Sequence, residues 1–182
     1  MARFAAAFAL LAATSLCFFS RLSGSLDTDQ PRVTRWIHSL RSLLASMSGA
    51  IIELTGQHVR ISGNAIAGGL PASDMELTLV IDEGCDGLQP VLLFASAVVA
   101  FPAPWFARLL GLLVGSALLQ GLNLVRIASL YLFGTRWIHA LNGLHVGAWQ
   151  ALFVAATAGL WLLWATWCVQ RDGRQDETQG TS

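Results

Sequence analysis

Lysine is missing from this chain of 182 residues, whose 11 basic side chains are all arginine. The substitution carries no mechanism and reads as genomic composition. Charge of either sign is scarce, at 12% of residues with a formal net charge of zero. No basic surface of the kind nucleic acids require is present, so no nucleic-acid partner is expected. Only three cysteines occur, Cys17, Cys85 and Cys168. They form no C-x-x-C pair and no Cys/His cluster with metal-ligand spacing, which argues against a quinone-linked disulfide oxidase and a zinc site. No metal and no cofactor is expected. Internal repeats are lacking too, and the apolar N-terminal stretch has no A-x-A cleavage site after it, so it reads as a retained signal anchor rather than a removed signal peptide.

What fills the chain is apolar side chain. Hydrophobic residues make up 54% and the mean hydropathy is +0.58, too apolar for an ordinary soluble domain of this size. The fold class expected is an all-α integral membrane protein. A spanning helix needs roughly 20 mostly apolar residues, and four segments qualify: Phe4–Ser20, Gly87–Ala107, Leu109–Phe133 and Val146–Val169. With Arg3 inside, four spans return the C-terminus to the same side and leave Arg108, Arg171 and Arg174 cytoplasmic, as the positive-inside rule asks of short loops. The expected organisation is a signal-anchor helix over 1–20, an extracytoplasmic segment over 21–86, a three-helix membrane core over 87–169 and a disordered cytoplasmic tail over 170–182.

Within the extracytoplasmic segment, Val33, Trp36, Ile37, Leu40, Leu43 and Leu44 recur at helical spacing, with the arginines on the polar side. This predicts an amphipathic helix lying on the outer membrane face. From Gln57 the period changes. "HVRIS" and "MELTLVI" alternate, with glycines 63, 68 and 69 interrupting between them, and a small β-hairpin that delivers the chain to Cys85 is expected.

Cys85 stands among Asp82, Glu83 and Asp86, directly before a long apolar run. Carboxylates disfavour a thiolate, so a reactive cysteine here needs a cation from elsewhere. Arg126 is the only charge inside a predicted span, about 10 Å from its outer end at 1.5 Å per residue. An arginine at such depth requires a partner or a polar cavity. Asn123 lies one helical turn earlier, with Gln120 beyond it, and His145 opens the fourth span. The topology brings Cys85, Arg126 and His145 to one side of the bilayer. They form a plausible working set: thiol nucleophile, fixed positive charge, and base that later serves as acid. Glu83 or Asp86 is available to orient Arg126 or His145. Cys17 and Cys168 read as small apolar residues buried within spans.

"EGCDGLQPVLLFASAVVAF", then "NLVRIASLYLFG", then His145 resemble the core of the exosortase and archaeosortase family, in particular its compact forms such as exosortase H or exosortase M. The likeness covers roughly 57–169. It implies a membrane-embedded cysteine transpeptidase of the bacterial inner membrane, multi-pass, with its site on the extracytoplasmic side. The family's nucleophile falls on Cys85, its arginine on Arg126, its histidine on His145, and the Asn of its arginine motif on Asn123. Asp86 departs from the serine that many members carry after the cysteine, and His139 is a second histidine near His145. The implied substrates are exported proteins ending in a short motif, a transmembrane helix and a basic tail, and the implied acceptor is a nucleophile on the cell surface. Membrane lipids are the surroundings. Two other readings fit the same residues: a hydrolytic protease of the same geometry, and a non-enzymatic membrane assembly or export factor in which Arg126 pairs with Glu83 or Asp86 for structure alone.

Overall fold

The computed structural model describes residues 6–14, 17, 31–69, 76–82, 84–135 and 147–179. After a helical stretch at residues 6–14, the elements are α1 (Pro31–Glu53), β1 (Arg60–Ser62), β2 (Ala65–Gly69), β3 (Glu76–Val80), α2 (Leu88–Ala100), α3 (Trp105–Gly134) and α4 (Trp149–Gln179). Two packing centres organise them. In the first, Leu44, Ala45 and Ile52 of α1 meet Ile66 of β2, Ile81 after β3, and Ile127, Ala128 and Tyr131 near the end of α3. In the second, Phe94 and Val98 of α2 pack on Leu119 of α3 and on Trp161 and Trp164 of α4. The long helix α3 belongs to both, so it carries a small head at one end and a helical bundle along the rest.

Helix α1 opens with proline at its first position, where the missing N–H costs nothing. Its buried stripe is Ile37, Arg41, Leu44, Ala45, Ser48 and Ile52, spaced three and four apart as one helix face requires. Trp36, Leu43 and Met47 are exposed on another face. The helix is therefore apolar on two sides, and an arginine sits within the buried one.

The sheet differs from the expected hairpin. "HVRIS" and "MELTLVI" do supply strands β1 and β3, but the two do not pair with each other. The glycine-interrupted segment between them is itself a strand, β2, and pairs antiparallel with both. Gly63 at φ 59° and Asn64 form the two-residue turn between β1 and β2, a turn type that needs residues tolerant of positive φ. Gly68 leaves room for the Tyr131 hydroxyl, which an added Cβ would strike. Its glycines kept this stretch from looking like a strand, and one of them is what lets the strand approach α3.

The membrane segments differ in length from expectation. Helix α2 stops at Ala100 rather than continuing to Ala107, because Pro102 and Pro104 follow and residues before proline are pushed into extended conformation. Phe101 is extended, with φ −74° and ψ 135°. At 13 residues, α2 spans about 20 Å, less than the ~30 Å of a hydrocarbon core. Among the described residues two helices are long and apolar enough to cross a membrane, Trp105–Gly134 and the Trp149–Arg171 part of α4. Helix α4 continues to Gln179, where the polar composition after Val169 predicted an unstructured tail. Cys168 is buried and Cys17 exposed.

Small residues on α3 set how closely the bundle packs. A Cβ on Gly115 would overlap the Phe94 ring, and one on Gly111 would overlap the Trp164 indole, whose Nε1 donates to the Ala107 carbonyl at 2.9 Å. Close approach through small residues is the usual basis of helix association in membranes. Replacing Gly115 by leucine should destabilise the bundle by about 1–3 kcal/mol or more, read as a lower midpoint of thermal unfolding in detergent. Gly121, with open space around its Cα, should accept alanine without such a shift.

Candidate active site

The turn between β3 and α2 holds Gly84, Cys85, Asp86 and Gly87. Its carbonyls are met one by one from α3. Arg126 Nη1 donates to the Gly84 carbonyl at 2.9 Å, Asn123 Nδ2 to the Cys85 carbonyl at 3.0 Å, and Gln120 Nε2 to the Asp86 carbonyl at 3.2 Å. Gln120, Asn123 and Arg126 are spaced three apart and so lie along one face of α3, about 4.5 Å between successive positions, where each can meet a successive carbonyl of the turn. Gly87, at φ 70°, brings the chain so near α3 that an added Cβ would lie 2.8 Å from Gln120 Oε1 and 2.9 Å from Asn123 Nδ2. Both conditions demand glycine.

Arg126 Nη2 lies 3.8 Å from Cys85 Sγ, and the guanidinium carbon stands 5.5 Å from the centre of the Phe153 ring on α4, within reach of a cation–π attraction. Asn123 is fully buried and Arg126 is 7% exposed. Burial pushes the Cys85 thiol above its ordinary pKa. Arg126 opposes that rise, Asp86 and Asp82 add to it, and Arg41 opposes it in turn. The resting thiol is thus held protonated, and becoming a nucleophile requires a base.

The acids beside the cysteine are held by an arginine that sequence reasoning left on the polar side of an amphipathic helix. Arg41 donates from Nη2 to Asp86 Oδ2 at 3.2 Å and from Nη1 to Asp82 Oδ1 at 3.1 Å. Arg41 and Asp86 are both buried, while Asp82 is exposed. Asp86 Oδ1 also accepts the amide of Leu88, the first residue of α2, where a carboxylate is favoured by the helix dipole. Both carboxylate oxygens of Asp86 thus have partners, Arg41 and the Leu88 amide. Asp86 anchors α1 to the start of α2. The signal for Arg41 was present in its spacing, four residues after Ile37 and three before Leu44, on the stripe that proved to be buried.

His145 and Glu83 lie outside the described residues, as does His139. Beside the loop is a cavity of about 330 Å³, with Gly84 and Arg126 at one part of its wall and Leu93, Phe153, Val154 and Trp161 among the apolar lining. Phe8 of the N-terminal helical stretch lines it as well.

Two outcomes follow from these contacts. Arg41→Met should cost about 3–5 kcal/mol of stability, because it strands a buried carboxylate. Arg60→Met breaks the exposed Arg60–Glu76 pair and should cost about 1 kcal/mol or less; thermal unfolding of the purified proteins compares them. Alkylation of Cys85 by iodoacetamide at neutral pH should slow several-fold in Arg126→Gln, which removes an influence that lowers the thiol pKa. It should quicken in Asp82→Asn, which removes one that raises it.

No curated protein and no solved structure matches the chain. The family model described as transmembrane exosortase (Exosortase_EpsH) does, over residues 3–165. With the match running through nearly the whole chain, including the Cys85 loop and the arginine-bearing helix, the protein belongs to the transmembrane exosortase family.

Proposed function

We propose that this membrane protein is a cysteine transpeptidase that cleaves the C-terminal sorting signal of exported proteins and passes them to an acceptor on the cell surface. Membership of a family of membrane cysteine peptidases and transpeptidases that process sorting signals supports the general class. The observation that carries the finer reading is the position of the Arg126 guanidinium, 3.8 Å from Cys85 Sγ and hydrogen-bonded to the adjacent Gly84 carbonyl. A buried cation directed at a thiol can stabilise both the thiolate and the oxyanion that forms when a carbonyl is attacked.

In this reading, His145 takes the Cys85 proton as Sγ attacks the carbonyl carbon of the scissile peptide bond. The C–N bond then breaks, the proton passes from His145 to the departing amine, and the substrate is left as a thioester on Cys85. An acceptor amine or hydroxyl attacks the thioester next, giving its proton to His145, and the thiol is restored when that proton returns to sulfur. Arg126 holds the negative charge on oxygen in both halves. The apolar cavity beside Arg126 suits the first residues of the substrate's hydrophobic segment. The protein would sit in the bacterial inner membrane, with the site on the extracytoplasmic side.

The reading is tested in cells that co-express the protein with reporters, each a secreted domain followed by a varied short motif, a helix of leucine and alanine, and an arginine tail. The wild type should shorten at least one reporter on a gel. Cys85→Ala, Arg126→Ala and His145→Ala, at equal membrane abundance, should leave it intact. Shortening by the Cys85→Ala protein would overturn the assignment.

A further inference from the structure

Strand β3 leads into the Cys85 turn, and among the described residues no strand pairs with its outer edge. The main-chain groups of Ile81 both point toward β2: its N–H donates to the Asn64 carbonyl at 2.9 Å, and its carbonyl accepts from Asn64 Nδ2 at 2.8 Å. In an antiparallel ladder the main-chain groups of successive residues alternate sides. With Leu79 opposite Ile66 and Leu77 opposite Gly68, those two residues also turn their main-chain groups to β2. Glu76, Thr78 and Val80 turn theirs to the far edge. Among the described residues the sheet order is β1-β2-β3, and no strand lies beyond β3. The side chains of these three residues are exposed, Val80 at 52%.

Open edges in stable proteins are normally guarded by lysine, proline, a bulge or an inward charge. Edge strand β3, Glu-Leu-Thr-Leu-Val, has none of these, and its one charge, Glu76, is neutralised by Arg60. Two residues after Val80, Asp82 begins the turn in which the Cys85 N–H donates to the Asp82 carbonyl at 3.0 Å. Past that turn the cavity opens beside Gly84 and Arg126. An unguarded strand edge, the thiol and an apolar cavity thus follow one another along the chain.

We infer that the substrate's recognition peptide docks by strand addition to the open edge of β3. It lies parallel to β3, pairs with the main chain of Glu76, Thr78 and Val80, and presents its next peptide bond to Cys85. The apolar segment after that bond enters the cavity. In strand addition, main-chain hydrogen bonds supply affinity and alternate side chains supply selectivity, so motif recognition here is by extended shape, with every second residue of the motif read. This rests on the peptidase reading above.

The experiment uses the full-length enzyme in membranes and the reporter set already described. Thr78→Pro removes an N–H that faces the open edge, where proline is tolerated because the ladder to β2 does not use it. Cleavage of the best reporter should fall by about tenfold or more, with membrane abundance and Cys85 alkylation by iodoacetamide unchanged. Wild-type cleavage together with undiminished cleavage by Thr78→Pro would overturn strand addition and leave the peptidase reading standing. Failure of the wild type to cleave any reporter would count against the peptidase reading itself, and the inference would fall with it. Should Thr78→Pro not accumulate, disulfide cross-linking decides. Thr78→Cys, placed in the Cys85→Ala protein, should trap single cysteines scanned through the reporter motif at every second position. A pattern without that period, or no cross-link, would overturn the inference.

Discussion

The guanidinium of Arg126 and the two amides before it on α3 are what the Cys85 loop hangs from. Three consecutive carbonyls, from Gly84 to Asp86, have their hydrogen bonds supplied by Arg126, Asn123 and Gln120. A buried carbonyl without a partner costs about 1–3 kcal/mol, so a loop of this shape is stable only where a helix offers donors at matching intervals. The same contacts give partners to Arg126 Nη1 and Asn123 Nδ2, polar groups carried by an otherwise apolar α3. Loop and helix thus hold each other, and the thiol is kept beside a positive charge as a consequence.

Charge balance around the thiol depends on a second arginine as well. Asp82 and Asp86 would by themselves make thiolate formation harder, and burial already does so. Arg41 neutralises both and draws α1 against the start of α2. The head built by α1 and the sheet is thereby tied to the bundle through ionic contacts at the very turn that holds the cysteine. The resting site keeps a protonated thiol, with Arg126 near enough to stabilise negative charge once a base has removed the proton.

Much of this was legible in the residues. The need for a cation near Cys85, the need of Arg126 for a polar partner, and Asn123 and Gln120 on the same side of a helix all follow from spacing and solvation cost. What was not legible has physical reasons. The cation for Asp86 was sought in the membrane helices, whereas it comes from α1, where an arginine on an amphipathic helix ordinarily faces water; only its place between Ile37 and Leu44 betrayed it. The central strand was hidden by Gly68 and Gly69, which lower strand propensity, although Gly68 is what allows close packing on Tyr131. Counting apolar residues carried α2 past Pro102, although a proline pair ends a helix whatever the hydropathy around it.

The account stands on Cys85 as the nucleophile, and the most direct test is to catch the thioester. Membranes containing the wild-type protein and a cleavable reporter would be treated with neutral hydroxylamine, and the new C-terminus of the reporter identified by mass spectrometry. The account predicts a hydroxamate at that C-terminus, formed with the wild type and absent with the Cys85→Ala protein. A reporter shortened by both proteins, ending in a free carboxylate with no hydroxamate in either, would contradict it.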